Sequence, residues 1–154
     1  MAKKQEGELV SNRKAFHDYE MLDSLEAGIL LQGTEVKSLK EHGGSLQDSY
    51  ILISHSKALL KNTSIAPYKF GNVHNHEERR DRELLLHKRE LIKLKGLSQQ
   101  QGLALIPLSI YFKKGWIKVK IGIMKGKKNY DKRESLKEKE HQRAMHRALK
   151  AREE

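Results

Sequence analysis

The chain of 154 residues contains no cysteine, only two prolines and few aromatic residues. Without cysteine, disulfides, thiol nucleophiles and cysteine-based zinc sites are excluded. The longest apolar stretch, LALIPLSIYF at 103–112, is too short to span a bilayer and contains Pro107. The first residues, MAKKQEGELVSNRK, lack the apolar run of a signal peptide. These absences predict a soluble, cytosolic protein.

Acidic residues are in the minority. Lys and Arg number 31 against 20 Asp and Glu, so the formal net charge is +11. The excess is uneven, because residues 125–154 alone hold 11 basic and 6 acidic side chains. A charge of this sign favours a polyanionic partner, and nucleic acid comes before an acidic membrane surface.

The pattern along the chain predicts one folded domain over 16–128, preceded by a flexible segment at 1–15. GTEVKSLKEHGG predicts a short helix with Thr34 as N-cap and the Gly43-Gly44 pair as its stop. A second helix is predicted over 80–96, where four apolar side chains lie within about 120° of arc at 3.6 residues per turn; these are Leu84, Leu85, Leu91 and Ile92.

The clearest strand signal is the hairpin ALIPLSIYFKKGWIKVKIGIM, with Lys114-Gly115 as its turn. Alternate apolar residues predict one face in the core. The other face carries Tyr111, Trp116 and three lysines: Lys113, Lys118 and Lys120. Rings for stacking and ammonium groups for phosphates suit RNA, although an ordinary solvated face shows the same pattern. Short strands with two helices predict a mainly β fold, a closed β-barrel of the oligonucleotide-binding (OB) type.

Residues 129–154 are predicted to form a basic C-terminal tail. On a helical projection, five basic residues fall within about 80° of arc; these are Lys132, Lys139, Arg143, Arg147 and Lys150. No continuous apolar stripe is present to dock this helix on a core. We therefore expect a tail that is disordered alone and helical when it binds phosphates, the alternative being a charged terminus without a role.

Little in the sequence indicates catalysis. VHNHE at 73–77 is superficially similar to the HNH nuclease signature, with His74 or His76 as ligand or base, but a loop is the alternative because no further ligands follow. Glu26 in SLEAGILL either faces solvent or accepts hydrogen bonds from a base edge or a ribose hydroxyl. No phosphate-binding Gly-rich loop, nucleophile elbow or carboxylate pair is present. The sequence predicts no enzyme, no cofactor and no metal site.

Several motifs occur together in order, including NRKAFHDYEMLDSLEAGILLQGTEVKSLK, IAPYKFGN, RDRELLLHKREL and KGKKNYDKRE. From about Asn12 to the C-terminus, the chain resembles the SsrA-binding protein family (small protein B). The resemblance implies an OB-type barrel that binds the tRNA-like domain of transfer-messenger RNA and takes the place of the missing anticodon arm in stalled ribosomes. It also implies a tail in the decoding centre and empty mRNA path, and delivery with elongation factor Tu and GTP.

By motif, the resemblance places Glu26, Leu85 and His87 on the RNA-binding surface, together with the lysines of KGKK: Lys125, Lys127 and Lys128. Lys118 and Lys120 join them from the hairpin face. At the decoding centre it implies stacking by Tyr130 and phosphate contacts by Lys132 and Arg133, beside Asp131. Helical periodicity instead places Leu85 in the core. A generic ribosomal or single-strand RNA-binding barrel protein is the alternative function.

Overall fold

The computed structural model describes residues 7–71, 75–127, 143–145 and 147. Within these ranges it contains seven strands and three helices. The strands are β1 (Glu8–Ser11), β2 (Tyr19–Ile29), β3 (Tyr50–Ser54), β4 (Lys57–Lys61), β5 (Arg82–Leu85), β6 (Leu103–Lys113) and β7 (Trp116–Gly126). The helices are α1 (Arg13–Asp18), α2 (Gly33–His42) and α3 (Lys88–Ser98).

All seven strands belong to one antiparallel sheet in the order β1-β6-β7-β2-β5-β4-β3. The predicted hairpin is confirmed as β6 and β7. Its turn residues Lys114 and Gly115 both have positive φ, 50° and 81°, the conformation that a two-residue turn between twisted strands requires. The main core draws residues from every strand and from α2 and α3.

The prediction of a closed barrel is wrong, because the sheet is open. Strands β1 and β3 end the sheet, and no hydrogen-bonded ladder joins them within the described residues. Helix α3 lies against both β3 and β6, and its Leu94 is fully buried in the core. Side-chain packing from a helix therefore covers the core where a barrel would have strand pairing.

The prediction of a flexible segment over 1–15 includes residues that belong to the folded domain. Residues Glu8–Ser11 form β1, which pairs with β6, and Val10 and Ala15 are both buried. Asn12 lies between β1 and α1 and connects this segment to β6, because its side-chain amide donates a hydrogen bond to the carbonyl of Pro107 at 2.9 Å. Residues 8–15 are thus part of the folded domain.

The helix predicted over 80–96 is correct only in its second half. Residues Arg82–Leu85 form β5, which inserts between β2 and β4. Leu84 points to the core opposite Ala58, whereas Leu85 is paired with Gly28 on the other side of the sheet. The helix begins at Lys88 and continues through Gly96 to Ser98, two residues beyond the predicted end.

Helix α2 is where the sequence predicts it, but its N-cap is Gln32 rather than Thr34. Gln32 and Glu35 form a reciprocal capping box. The helix ends at His42, and its C-cap is the predicted stop Gly43, whose φ of 73° favours glycine. Glu35 is buried, and its carboxylate accepts hydrogen bonds from Arg80 and Arg82, which ties α2 to β5.

Candidate nucleic-acid interface

Strands β6, β7 and β2 lie side by side at the centre of the sheet and present one polar face. Along β7, Val119 and Ile121 are buried in the core, so Lys118 and Lys120, which alternate with them, lie on the opposite side. The registers place Glu26 beside Lys120 and Gly28 beside Lys118. We call this surface the outer face and define it by Glu26, Leu85, Lys113, Trp116, Lys118 and Lys120.

Only part of this side of the sheet is open. Farther along β6 and β7, Ala15 of α1 packs on a second buried cluster formed by Ile106, Leu108 and Met124. Gly122 lies beneath it, and a Cβ atom there would meet Leu108 Cδ1 at 2.8 Å. Helix α1 and its cluster therefore bound the outer face at one end.

Glu26 is the acidic group of the outer face. Its Oε2 accepts hydrogen bonds from the Tyr111 hydroxyl and, at 3.3 Å, from Lys113 Nζ. The Tyr111 hydrogen bond, aided by Lys113 and by the charge of Lys118, holds the pKa of Glu26 below its usual range against a smaller opposing effect of burial. Glu26 is thus an ionised acceptor on a basic surface.

Tyr111 is not the exposed ring that alternation predicts. It shares the side of Lys118, but it is only 2% exposed and cannot stack on a base. Burial, followed by the hydrogen bond to Glu26, raises the pKa of its hydroxyl far above the ordinary value. Tyr111 is therefore a fixed hydrogen-bond donor beneath the surface.

Leu85 belongs to the outer face rather than to the core. It is 50% exposed. It lies next to Gly28 of the neighbouring strand β2, where an added Cβ atom would meet Leu85 Cβ at 3.2 Å. His87 follows as the exposed N-cap of α3, in a capping box with Glu90. The periodicity argument for a core position of Leu85 is wrong because a strand, not a helix, carries it.

The remaining members supply positive charge and an aromatic ring. Lys118 and Lys120 are half-buried and form no ion pair with another described residue. Trp116 begins β7 at the hairpin turn and is 72% exposed. The outer face can therefore offer two ammonium groups to phosphates and one indole to a base.

The basic residues of KGKK lie apart from this surface. Lys125 is beside Glu20 at the opposite end of β7 from Trp116. The Nζ of Lys127 donates to the carbonyl of Phe16 at 3.2 Å, and its backbone N–H donates to Asp18 at 3.1 Å. Lys127 thus lies beside α1, Lys125 lies at the end of β7 far from Trp116, and Lys128 falls outside the described residues.

Most of the predicted tail also falls outside the described residues, including Tyr130, Asp131, Lys132, Arg133, Lys139 and Lys150. Arg143 and Arg147 have helical backbone geometry. The Nε of Arg147 donates to the Arg143 carbonyl at 3.4 Å. The coupling of tail folding to binding stays a prediction.

The histidine motif offers no metal centre in the described part of the chain. His76 is buried; its Nδ1 lies 2.8 Å from the Thr34 hydroxyl and its Nε2 lies 2.9 Å from the Ile65 carbonyl oxygen. No cluster of three potential metal-ligating side chains occurs among the described residues, and His74 lies outside them. His76 has the contacts of a residue that holds its loop to α2.

Sequence reasoning missed two partners of Glu26, namely the Tyr111 hydroxyl and Lys113. Alternation placed both on the side of Lys118, which was correct. The contact itself spans β7, because Tyr111 is on β6 and Glu26 is on β2. Only the strand order and register bring these residues together, and neither can be read from local periodicity.

Across the described ranges, no helix has the length and apolar character needed to cross a membrane.

Comparison with known proteins gives consistent matches. A family model described as "SmpB protein" matches residues 9–151. An SsrA-binding protein of Protochlamydia amoebophila is 57% identical over 148 residues, covering 96% of this chain and 97% of the relative. One of Staphylococcus saprophyticus is 50% identical over 150 residues, covering 97% of each.

Among solved structures, one described as "tmRNA-SmpB: a journey to the center of the bacterial ribosome" has a TM-score of 0.67 and 47% sequence identity. It covers 78% of this chain and 85% of that chain. Together with the family match over residues 9–151, these similarities show that the chain belongs to the SmpB protein family.

Proposed function

We propose that this protein binds SsrA RNA, the transfer-messenger RNA of trans-translation, and thereby rescues stalled ribosomes. The relatives named SsrA-binding protein and the tmRNA-SmpB ribosome structure support this function. The observation that carries the proposal within the chain is the outer face. It gathers Glu26, Leu85 and the pair Lys118 and Lys120, which come from three distant parts of the sequence, on one surface.

Each part of the outer face has a separate task in binding. Lys118 and Lys120 attract phosphates, which supplies much of the affinity and makes it depend on salt. Trp116 stacks on an unpaired base, and Leu85 packs on the apolar surface of a ribose or base. Glu26 cannot attract phosphate, so it accepts a hydrogen bond from an RNA donor group. The protein binds the tRNA-like domain and acts by binding rather than by catalysis.

The folded domain and the C-terminal tail then have different roles. The folded domain takes the place of the missing anticodon arm, while the tail enters the decoding centre and the empty mRNA path. There Tyr130 stacks, Lys132 and Arg133 contact phosphates, Asp131 adds an acceptor, and the basic side of the tail follows the RNA. The family resemblance supports these roles, and Lys125 and Lys127 extend the RNA contact at the end of β7 far from Trp116.

Delivery to the ribosome occurs in a complex with elongation factor Tu and GTP, in the cytoplasm. The support for this step is again the family resemblance, together with a sequence that has no cysteine.

His87 follows closely after Leu85, at the start of α3, so it belongs to the rim of the RNA contact that the outer face forms.

Competition binding tests the proposal. A labelled tRNA-like domain is displaced by unlabelled copies of itself or by unstructured RNA of the same length, at one fixed salt concentration. We expect the folded RNA to compete at least tenfold better. Equal competition would assign the protein to the generic single-strand RNA binders instead.

A variant pair connects the binding to the outer face. The Lys118→Ala/Lys120→Ala protein should bind the tRNA-like domain more weakly, with a salt slope reduced by about one for each lost phosphate contact. Lys37→Ala/Lys95→Ala is the matched control, because these lysines are exposed on α2 and α3, two helices that pack on the core side of the sheet through Leu39 and Leu94. An equal loss in both variants would show only a general charge effect.

A further inference from the structure

We propose that Tyr111 is a positioning residue for RNA binding. With Lys113 it occupies Oε2 of Glu26, so that Oε1 is presented to a neutral hydrogen-bond donor of the folded RNA, a ribose 2′-hydroxyl or a base amino group. This inference rests on the proposed function, because it requires the outer face to bind RNA.

The geometry shows how Tyr111 reaches its partner. Its ring starts on β6 and its hydroxyl contacts a residue of β2, so the side chain crosses β7. Lys118 is beside Tyr111 and Lys120 is beside Glu26 in the two registers. The ring is therefore buried beneath the basic part of the outer face, while the Glu26 side chain above it remains 36% exposed.

The two oxygens of Glu26 have different environments. Both protein hydrogen bonds, from Tyr111 and from Lys113, go to Oε2. Among the described residues, none donates to Oε1. A carboxylate held through one oxygen keeps a fixed direction for the other, which reduces the entropy lost when an RNA donor binds there.

The charges around Glu26 restrict what can bind to it. An ionised carboxylate only accepts hydrogen bonds, and a phosphate oxygen also only accepts, so the two repel. Ribose hydroxyls and base amino groups donate, and they occur on the accessible surface of folded RNA. Lys118 and Lys120 on the neighbouring strand β7 bind phosphates, while Glu26 on β2 requires a donor beside them, which selects one register of the RNA backbone.

Tyr111 suits this task because its hydroxyl keeps its proton. Burial raises the pKa of Tyr111, so it remains a donor throughout the physiological range. Its hydrogen bond is also the largest cause that lowers the pKa of Glu26. Replacing Tyr111 by Phe removes the hydroxyl and retains the buried ring.

A double-mutant cycle measures the positioning role. Affinity for the tRNA-like domain is measured for the wild type, Tyr111→Phe, Glu26→Ala and the double variant, with thermal unfolding of each as a check on folding. We expect Tyr111→Phe to weaken binding five- to tenfold, the size of one hydrogen bond. In the Glu26→Ala background the same change should alter affinity less than twofold.

The pH dependence supplies a readout that a purely structural role would not move. Wild-type binding should persist below pH 4.5, since Glu26 ionises below that ordinary value. In Tyr111→Phe the largest cause of this lowering is absent, so binding should be lost at a higher pH. The other charged groups facing Glu26 are Lys113, Lys118 and Lys120.

The donor on the RNA is identified by analogue interference. Pools of tRNA-like domain carrying scattered 2′-deoxy riboses, or inosine in place of guanosine, are selected on the wild type and on Glu26→Ala. A position that interferes only with the wild type is the donor, and the analogue used tells a ribose hydroxyl from a base amino group. Identical interference patterns for both proteins would overturn the proposal.

The remaining outcomes separate this inference from the proposed function. If the wild type prefers the tRNA-like domain but Tyr111→Phe binds equally well, only the positioning role fails. A loss from Tyr111→Phe that is as large without Glu26 would also overturn it, since the tyrosine would then act on folding. If the wild type shows no preference for the folded RNA, both proposals fail.

Discussion

Glu35 joins helix α2 to the sheet through two arginines. Its Oε1 accepts from Arg80 Nη2 at 2.6 Å and from the backbone N–H of Gln32 at 2.8 Å, while its Oε2 accepts from Arg82 Nε. Arg82 is fully buried and also donates to the carbonyl of Thr63 at 2.7 Å. An ion pair so deeply buried is costly to disrupt, because the remaining partner keeps its charge away from water.

We therefore expect Glu35→Gln to lower the free energy of unfolding by about 3 kcal/mol at neutral pH. Urea denaturation measures this change. The exposed Glu41 in the same helix provides the control, and Glu41→Gln should change stability by less than about 0.5 kcal/mol. Similar small effects from both substitutions would contradict the structural role of Glu35.

The two ion pairs of Glu35 also predict that the stability of the protein depends on pH. Burial would raise the pKa of Glu35, but the hydrogen bonds from Arg80, Gln32 and Arg82 outweigh it and hold the pKa below the ordinary 4.5. A lowered folded pKa stabilises the protein above pH 4.5, and the contribution disappears as the pH falls through the folded value. The difference in free energy of unfolding between the wild type and Glu35→Gln should thus become smaller as the pH falls. A difference that stays constant would contradict this role of the Glu35 carboxylate.

At the scale of elements, α3 covers the core at the open side of the sheet. Leu94 is fully buried against the main cluster, whereas Ile92 on the same helix is 64% exposed. Leu94→Ala should lower the free energy of unfolding by about 2–5 kcal/mol. Ile92→Ala should change it by less than about 0.5 kcal/mol in the same denaturation experiment. Equal effects would mean that α3 does not seal the core.

The tail forms the second functional element of the proposal. Replacing Asp131, Lys132 and Arg133 by alanine should leave affinity for the tRNA-like domain within about twofold, because the outer face is unchanged. Tagging of a stalled peptide in a reconstituted translation system should stop. Reduced RNA binding that accounts for the lost tagging would contradict this division between domain and tail.

The helices and strands also show which features of the fold can be predicted from local sequence patterns. The β6–β7 hairpin and α2 were predictable because alternation, a two-residue turn and a glycine stop are all local signals. Strand β5 was not, since its four residues adopt a strand only by pairing with β2 and β4. The open sheet and the contact of Tyr111 with Glu26 likewise depend on strand order and register.

At the scale of the whole molecule, a net charge of +11 predicts a polyanionic partner but not where it binds. The proposed location is the outer face, where the fold brings Lys118 and Lys120 near Leu85. The resemblance predicted Glu26 and Leu85 by motif, and strand alternation predicted Lys118 and Lys120. The register gathers these four residues and leaves Lys125 and Lys127 at the other end of β7. Position in the sheet therefore divides the basic residues into separate contacts.

The central claim is that the outer face selects SsrA RNA among cellular RNAs. Sequencing the RNA that co-purifies with the protein tests this claim most directly, with the Lys118→Ala/Lys120→Ala and Lys37→Ala/Lys95→Ala variants in parallel. We predict strong enrichment of SsrA RNA with the wild type and the control, and its loss with the outer-face variant. A mixed RNA population without that enrichment, or enrichment that survives loss of Lys118 and Lys120, would contradict the account.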